Sequence, residues 1–264
     1  IKKKLAKLFS LWIISIIPLS NIEYLNFYFK NFQKLLKNWK IQFVHSFTGY
    51  IYNDFFKFFS ILSKRKGSKL IGHAHGSFNY YIHYNSYNVL KFCDYYSYWG
   101  IEKTDIFSNK QLIKKPKIIY SGSTYLQKFK KFSKKKIDLK NFTILYPSGP
   151  LMNYSTDLEE ISFKKSLEHR LKVIKLIELL FAKYSGLKIL YKSFPGNQKN
   201  DPVYTHLKKY INLQKITLID SFPNKYFENA DMIMWDTICT GFSESLVSNK
   251  PTFVFNNIHE YNLV

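Results

Sequence analysis

The stretch 230-ADMIMWDTICTGFSESLVSNKPTFVF-255 decides the fold. Met232 to Trp235 is a short apolar run ending on Asp236, the pattern of a buried parallel strand. Thr240-Gly241-Phe242-Ser243-Glu244-Ser245 is a small, polar turn that opens a helix predicted to run through Asn249. Lys250-Pro251 breaks that helix, and Thr252 to Phe255 restarts as a strand. Strand, turn, helix and strand make a βαβ unit whose polar turn lies at the carboxyl end of its first strand. Open α/β sheets bind ligands there, and the unpaired N–H groups and dipole of a helix start favour an anion such as phosphate. Thr240, Ser243 and Ser245 add hydroxyl donors, and Glu244 is an acceptor for a sugar hydroxyl. The same residues also suit a plain helix cap with no ligand.

Working back from this unit, the second half repeats the pattern. Phe142 to Tyr146 reads as a strand running into Pro147-Ser148-Gly149-Pro150, a sharp loop. Ser166 to Tyr184 is the clearest helix, with Leu167, Leu171, Ile174, Ile177 and Leu180 predicted on one face and Gly186 ending it. Leu187 to Tyr191 is a strand leading into Lys192-Ser193-Phe194-Pro195-Gly196-Asn197. Val203 to Ile211 reads as a helix, Ile216 to Asp220 as a strand and Asn224 to Asn229 as a helical turn. Four polar loops thus follow four strands: Ser148-Gly149, Lys192 with Asn197, Ser221, and Asp236 to Ser245. In a parallel sheet all four lie at one edge and suit a phosphorylated ligand. Lys192 is placed to neutralise a diphosphate, or is a solvated surface lysine.

The first half alternates too. Helices are expected over Ile22 to Trp39, Ile51 to Leu62, Asn79 to Phe92 and Thr104 to Leu112. Strands are expected at Ile41 to Val44, Lys69 to Gly72, Tyr95 to Trp99 and Lys117 to Tyr120. The third of these helices follows His73-Ala74-His75-Gly76-Ser77, a strand-to-helix loop. Two histidines two residues apart suggest a metal pair, but no Asp, Glu or Cys follows at ligand spacing, so no metal is expected. A general base fits better, since imidazole titrates near neutrality, with His75 the first candidate and His45 a competitor. Gly76 beside it leaves backbone room for a substrate. No Gly-x-Ser-x-Gly, Walker loop or Gly-x-Gly-x-x-Gly occurs, which removes hydrolase, kinase and dinucleotide readings as first choices.

At 264 residues there is room for two α/β lobes of roughly 130 each. The lysine-rich stretch 127–140 has no sustained apolar period and is the expected linker, between an acceptor-side lobe at 1–126 and a donor-binding lobe at 141–264. Beginning at Ile1 and stopping at Val264 just after a strand, the chain looks truncated at one or both ends. The formal charge is +22, yet only Arg65 and Arg170 are arginine, so the forked donors of specific nucleic-acid readers are missing and no nucleic-acid partner is expected. Cys93 and Cys239 are too isolated for a disulfide scaffold, which points to a reducing, cytoplasmic setting. Lysines at 2–4 and 7 precede an apolar run, Leu8 to Leu19, shorter than the about 20 residues a spanning helix needs. It reads as a buried segment of the first lobe or, alternatively, as a peripheral contact with the inner face of the membrane.

The order of motifs resembles that of bacterial GT-B transferases of surface-polysaccharide synthesis. It is similar to the CDP-glycerol glycerophosphotransferases and to related carbohydrate transferases of lipopolysaccharide clusters. His75-Gly76 matches that group's His-Gly pair, Leu145-Tyr146-Pro147-Ser148 its Pro-containing loop, and Tyr191 to Pro195 its Lys/His-Pro strand end. Ala230-Asp231, Asp236, Thr240 to Glu244 and Lys250-Pro251 match its last unit. The likeness covers roughly 69–256. It departs at the Ser-Ser turn, which is Thr-Gly-Phe-Ser-Glu here, and in lacking Thr-Trp-Arg after the first strand, which favours a nucleotide-sugar donor over CDP-glycerol. The resemblance implies two Rossmann-like lobes facing a cleft, a nucleotide-activated sugar or polyol donor, and a glycan or lipid-linked acceptor. It implies no cofactor and no bound metal. Ser148, Gly149, Lys192, Asp236, Thr240, Gly241, Ser243, Glu244 and Ser245 would hold the donor, His75 would be catalytic, and His73 and Gly76 would lie on the acceptor side. The alternatives are a sugar-nucleotide 2-epimerase of the same fold, which needs several carboxylates around the sugar, and a non-catalytic glycan- or membrane-binding relic.

Overall fold

A computed structural model describes residues 24–74, 89–99, 115–133, 136–149, 151, 163–195 and 201–255. The chain divides into two compact units, one holding the described residues up to Ser121 and the other running from Gly122. Each is built on an all-parallel sheet.

In the first unit helix α1 (Leu25–Asn38) precedes strand β1 (Phe43–Ser46). A single turn, α2 (Gly49–Tyr52), and helix α3 (Asp54–Arg65) lead to β2 (Lys69–His73), and β3 (Tyr95–Tyr98) and β4 (Lys117–Tyr120) follow. The strands lie in the order β1-β2-β3-β4. Strand β1 sits two residues later than Ile41 to Val44, because Phe43 pairs with Lys69 and Ser46 with Gly72. His45 and Ser46 therefore end the strand instead of forming a turn. Helix α3 carries its own start and stop signals. Asn53 Oδ1 accepts from the Phe56 N–H at 2.9 Å, Asp54 lies in the first turn, and Lys64 and Arg65 in the last.

The second unit runs β5 (Phe142–Pro147), α4 (Phe163–Lys183), β6 (Leu187–Lys192), α5 (Pro202–His206), α6 (Lys208–Asn212) and β7 (Ile216–Leu218). It ends with β8 (Met232–Trp235), α7 (Thr240–Val247) and β9 (Thr252–Val254). Its order is β7-β6-β5-β8-β9, so the chain winds outward from β5 in one direction, then returns to β5 and winds in the other. The carboxyl ends of β5 and β8 form the switch point where such sheets bind ligands. Alternation along β5 fills both faces. Phe142, Ile144 and Tyr146 pack with Val173, Ile174, Ile177 and Phe181 of α4, while Leu145 packs with Ile233 and Trp235 on the side of α7. The buried face of α4 is thus Val173, Ile174, Ile177 and Phe181, and Leu171, expected inside, is exposed. Helix α7 stops at Val247, before Asn249, which takes a left-handed φ of 64° and donates its N–H to Leu246 O.

The segment expected to link the lobes packs on this second core over its described residues. Phe129 and Phe132 lie against the Trp235 side and Ile137 against the α4 side, and the Phe132 N–H donates to Ser248 O at 2.9 Å. Among the described residues no helix is long and apolar enough to cross a membrane.

Candidate functional site

The switch point is organised by a carboxylate. Asp236, the residue after β8, is buried and reaches across to the loop after β5. The Gly149 N–H donates to its Oδ1 at 2.6 Å, and the Tyr146 hydroxyl to its Oδ2 at 2.7 Å. Its backbone carbonyl lies 2.9 Å from Nε2 of His169, whose ring stacks on Phe255. Gly149 is required for this approach, since a Cβ there would stand 2.6 Å from Thr237 Cγ2.

A guanidinium completes the arrangement. Arg170 projects from α4 with 2% of its surface exposed, placing Nε 2.9 Å from Asp236 Oδ2 and donating from Nη2 to Gly149 O at 2.6 Å. Its Nη1 donates to Asp201 Oδ2 and to the Tyr191 hydroxyl, each at 3.0 Å. Asp201 in turn accepts from Ser193 Oγ at 2.9 Å, from Tyr191, and from the Val203 N–H that it caps at the start of α5. Burial works against the charge of Arg170, but the oxygens of Tyr146, Asp236, Tyr191 and Asp201 overcome it and raise its pKa, so it stays protonated. Burial likewise drives the hydroxyls of Tyr146 and Tyr191 well above their ordinary range, despite the opposing pull of Arg170.

Ser148 lies beside this network. Its N–H donates to Lys192 O at 2.8 Å, and its Oγ is 3.1 Å from the Tyr191 hydroxyl and accepts from the Phe194 N–H. The loops after β5, β6 and β8 are thereby held together. Lys192 donates from Nζ to Asp220 O at 2.6 Å, tying in the loop after β7 as well.

Helix α7 presents the remaining predicted residues in two sets. Thr240 is exposed, and Gly241 and Ser243 are half-buried. Any side chain at Gly241 would collide with the Trp235 ring. Ser245 is buried, accepting from Trp235 Nε1 and donating to Phe242 O. Glu244 is buried and accepts from the Tyr125 hydroxyl at 2.7 Å. Burial raises the pKa of Glu244, and the proton held toward it pushes Tyr125 up to about 12. Cys239 stands at the N-cap, its thiol pushed up to about 11 by burial against the pull of the Phe242 and Gly241 N–H groups.

In the first unit, His73 ends β2 with its ring stacked on Phe47 at 4.7 Å and set edge-on to His45 at 5.4 Å. Burial, then the neighbouring His45, lowers its pKa, so it is neutral at pH 7. His75, Gly76 and Asn197 lie outside the described residues.

The structure therefore brings Ser148, Gly149, Lys192 and Asp236 to one edge, with α7 starting from the same strand end. Arg170, Tyr146, Tyr191, Asp201 and His169 are additions that sequence reasoning missed. One signal was available, because Arg170 is one of two arginines in a chain that otherwise uses lysine.

A family model described as LIC12162 family transferase matches residues 2–264, and the chain belongs to that family. No curated protein matches its sequence. The S. aureus MnaA–UDP co-structure aligns over 89% of this chain and 64% of that one, with a TM-score of 0.55 and 14% identity. A UDP-GlcNAc 2-epimerase from Neisseria meningitidis bound to UDP-GlcNAc aligns over 86% and 62%, with a TM-score of 0.53 and 14% identity. The chain thus spans less than two thirds of the length of these structures. The likeness establishes the fold, two parallel-sheet α/β units of the GT-B type.

Proposed function

We propose that this chain transfers a glycosyl group from a nucleotide-activated donor to a hydroxyl of a glycan or lipid-linked acceptor. The observation that carries the reading is the switch point of the second sheet, where Asp236 locks the loop after β5 to the start of the β8–α7 turn. Preorganised N–H groups and hydroxyls at such an edge suit a diphosphate, which is where charge develops as the sugar leaves. In the step itself the acceptor oxygen bonds to the anomeric carbon, the bond from that carbon to the diphosphate oxygen breaks, and the nucleoside diphosphate departs. The acceptor proton goes to a base, for which His75 is our assignment. Thr240, Ser243 and the start of α7 contact the diphosphate, with Lys192 nearby as a counter-charge. Asp236, Ser148 and Gly149 fix the shape of the loop, because their polar groups are engaged within the protein.

The epimerase reading keeps the same donor and draws support from the UDP and UDP-GlcNAc complexes among the similar folds. It needs carboxylates around the sugar. Asp236 is engaged by Arg170, Tyr146 and Gly149, and Glu244 by Tyr125, which favours transfer. Incubation with radiolabelled UDP-, CMP-, CDP- and GDP-linked sugars separates the two. Transfer releases nucleoside diphosphate (or CMP) and labels the acceptor, whereas epimerisation inverts one carbon of an intact donor with no acceptor present.

The donor site has its own test. Ser243→Ala and Thr240→Val should each weaken binding of the productive nucleotide by about 1–2 kcal/mol, the size of a lost hydrogen bond to a charged group. Calorimetric titration of the folded double variant with that nucleotide measures this. Unchanged affinity would remove the phosphate site from α7.

A further inference from the structure

We infer that the outer face of α1 is a docking surface for an anionic phospholipid bilayer. This goes beyond the donor site and does not depend on it. Helix α1 buries one face and leaves a mixed one outside. Leu36 is buried, and Tyr28, Phe29 and Phe32 point inward, with ring contacts to Phe55, Phe58 and Phe59 of α3. At 100° per residue, Tyr24, Phe27, Asn31 and Leu35 form one outer stripe and Lys30, Lys34 and Lys37 form the stripe beside it. All seven are exposed, Phe27 to 60%. Trp39, which ends the helix, is exposed to 67%, next to Lys40.

Charge identifies the occupant. Residues 24–40 contain no carboxylate. The two carboxylates among the described residues of this unit, Asp54 and Asp94, are already ion-paired, with Lys57 at 2.8 Å and Lys64 at 3.0 Å. A helix face carrying three lysines and no carboxylate of its own, beside exposed Phe, Tyr and Trp, matches a surface with anionic headgroups above an apolar layer. The ammonium groups meet the phosphates, and the rings enter the headgroup boundary. A nucleic acid would supply the charge and could stack bases on the rings, but it offers no apolar layer for the exposed Leu25 and Leu35, and a second copy of this chain would bring the same positive charge against itself. Ahead of α1 the sequence carries a single carboxylate, Glu23, and further back lysines at 2–4 and 7 and an apolar run from 8 to 19.

Flotation of the full chain with vesicles tests this, comparing phosphatidylglycerol–phosphatidylcholine mixtures with pure phosphatidylcholine. Binding should require the anionic lipid and fall at least about tenfold between low and high salt. The Lys30→Glu/Lys34→Glu/Lys37→Glu variant should lose at least about tenfold, since each lysine near such a surface contributes to partitioning. Phe27→Ser/Trp39→Ser should lose several-fold at low salt. None of these positions belongs to the packed face, and unchanged thermal melts establish that the variants are folded. Equal binding to neutral vesicles, or no binding to either, overturns the inference. So does full retention of binding by both variants, which would assign the contact to residues 2–19. A dimer dissolved by Phe27→Ser/Trp39→Ser, with no vesicle binding by the wild type, would make the face an interface between copies instead.

Discussion

Arg170→Met is expected to lower the free energy of unfolding by about 3–5 kcal/mol, as removal of one partner from a buried ion pair does. Asp201 and Asp236 would each lose their cation while still enclosed, and Gly149 O and the Tyr191 hydroxyl would lose a donor. Lysine should not rescue. Its ammonium is a point charge, whereas Arg170 uses a planar fork to reach Asp236 from Nε, Gly149 from Nη2 and Asp201 from Nη1. The informative partner is the triple variant Arg170→Met/Asp201→Asn/Asp236→Asn. With the uncompensated charges neutralised, part of the loss should return, which separates charge burial from lost packing. Urea unfolding followed by circular dichroism reads all three proteins. A loss below about 1 kcal/mol for Arg170→Met would mean that water reaches the cluster and that the network does not brace these loops.

His75→Ala should reduce turnover by roughly 10²–10⁴-fold while nucleotide affinity barely changes. Chemistry and donor binding lie apart along the chain. The contacts assigned to the donor fall between residues 148 and 245, and the assigned base falls in the His-Gly pair at 75–76. A base acts on the acceptor proton in the transition state, so its loss should appear in kcat and leave the dissociation constant of the nucleotide intact. Two neighbours serve as controls. His73 is kept neutral by burial against His45 and Phe47, so His73→Ala should disturb packing more than chemistry. If His73→Ala and His75→Ala cost the same and activity requires an added divalent ion, a metal pair is the better account. If neither matters and His45→Ala abolishes turnover, the base lies at the end of β1.

The strand–helix alternation is legible because the strands of the second sheet are short apolar runs and several breaks carry Gly or Pro, as at Pro147-Ser148-Gly149 and Lys250-Pro251. The edge to which Ser148, Gly149, Lys192 and Asp236 come follows from that alternation, since a parallel sheet puts all its strand-to-helix loops on one side. What could not be read was the part set by distant partners. Nothing beside Arg170 in the sequence announces its partners, and only the placement of Asp201 and Asp236 next to it makes burial tolerable. The same cause shifts the buried face of α4 slightly, with Ile174 and Ile177 inside as expected. Leu171 was expected inside and is exposed, because Arg170 takes an inner position next to Val173 and Ile174. Strand β1 was misplaced for a related reason, since its ends are fixed by pairing with β2 and not by its own hydrophobicity.

The Arg170 cluster also bears on how the second unit breathes. Loops after parallel strands ordinarily open on their own, far below the free energy of global unfolding. Here the loop after β5 is bonded to the end of β8 and to the middle of α4, and through Asp201 to the start of α5. None of these can part without exposing a buried charge, so they open together. The amide of Gly149, although it lies in a loop, belongs kinetically with the core strands, and its hydrogen would exchange with solvent only when the whole domain lets go. Thr240, exposed at the start of α7, takes no part in this network.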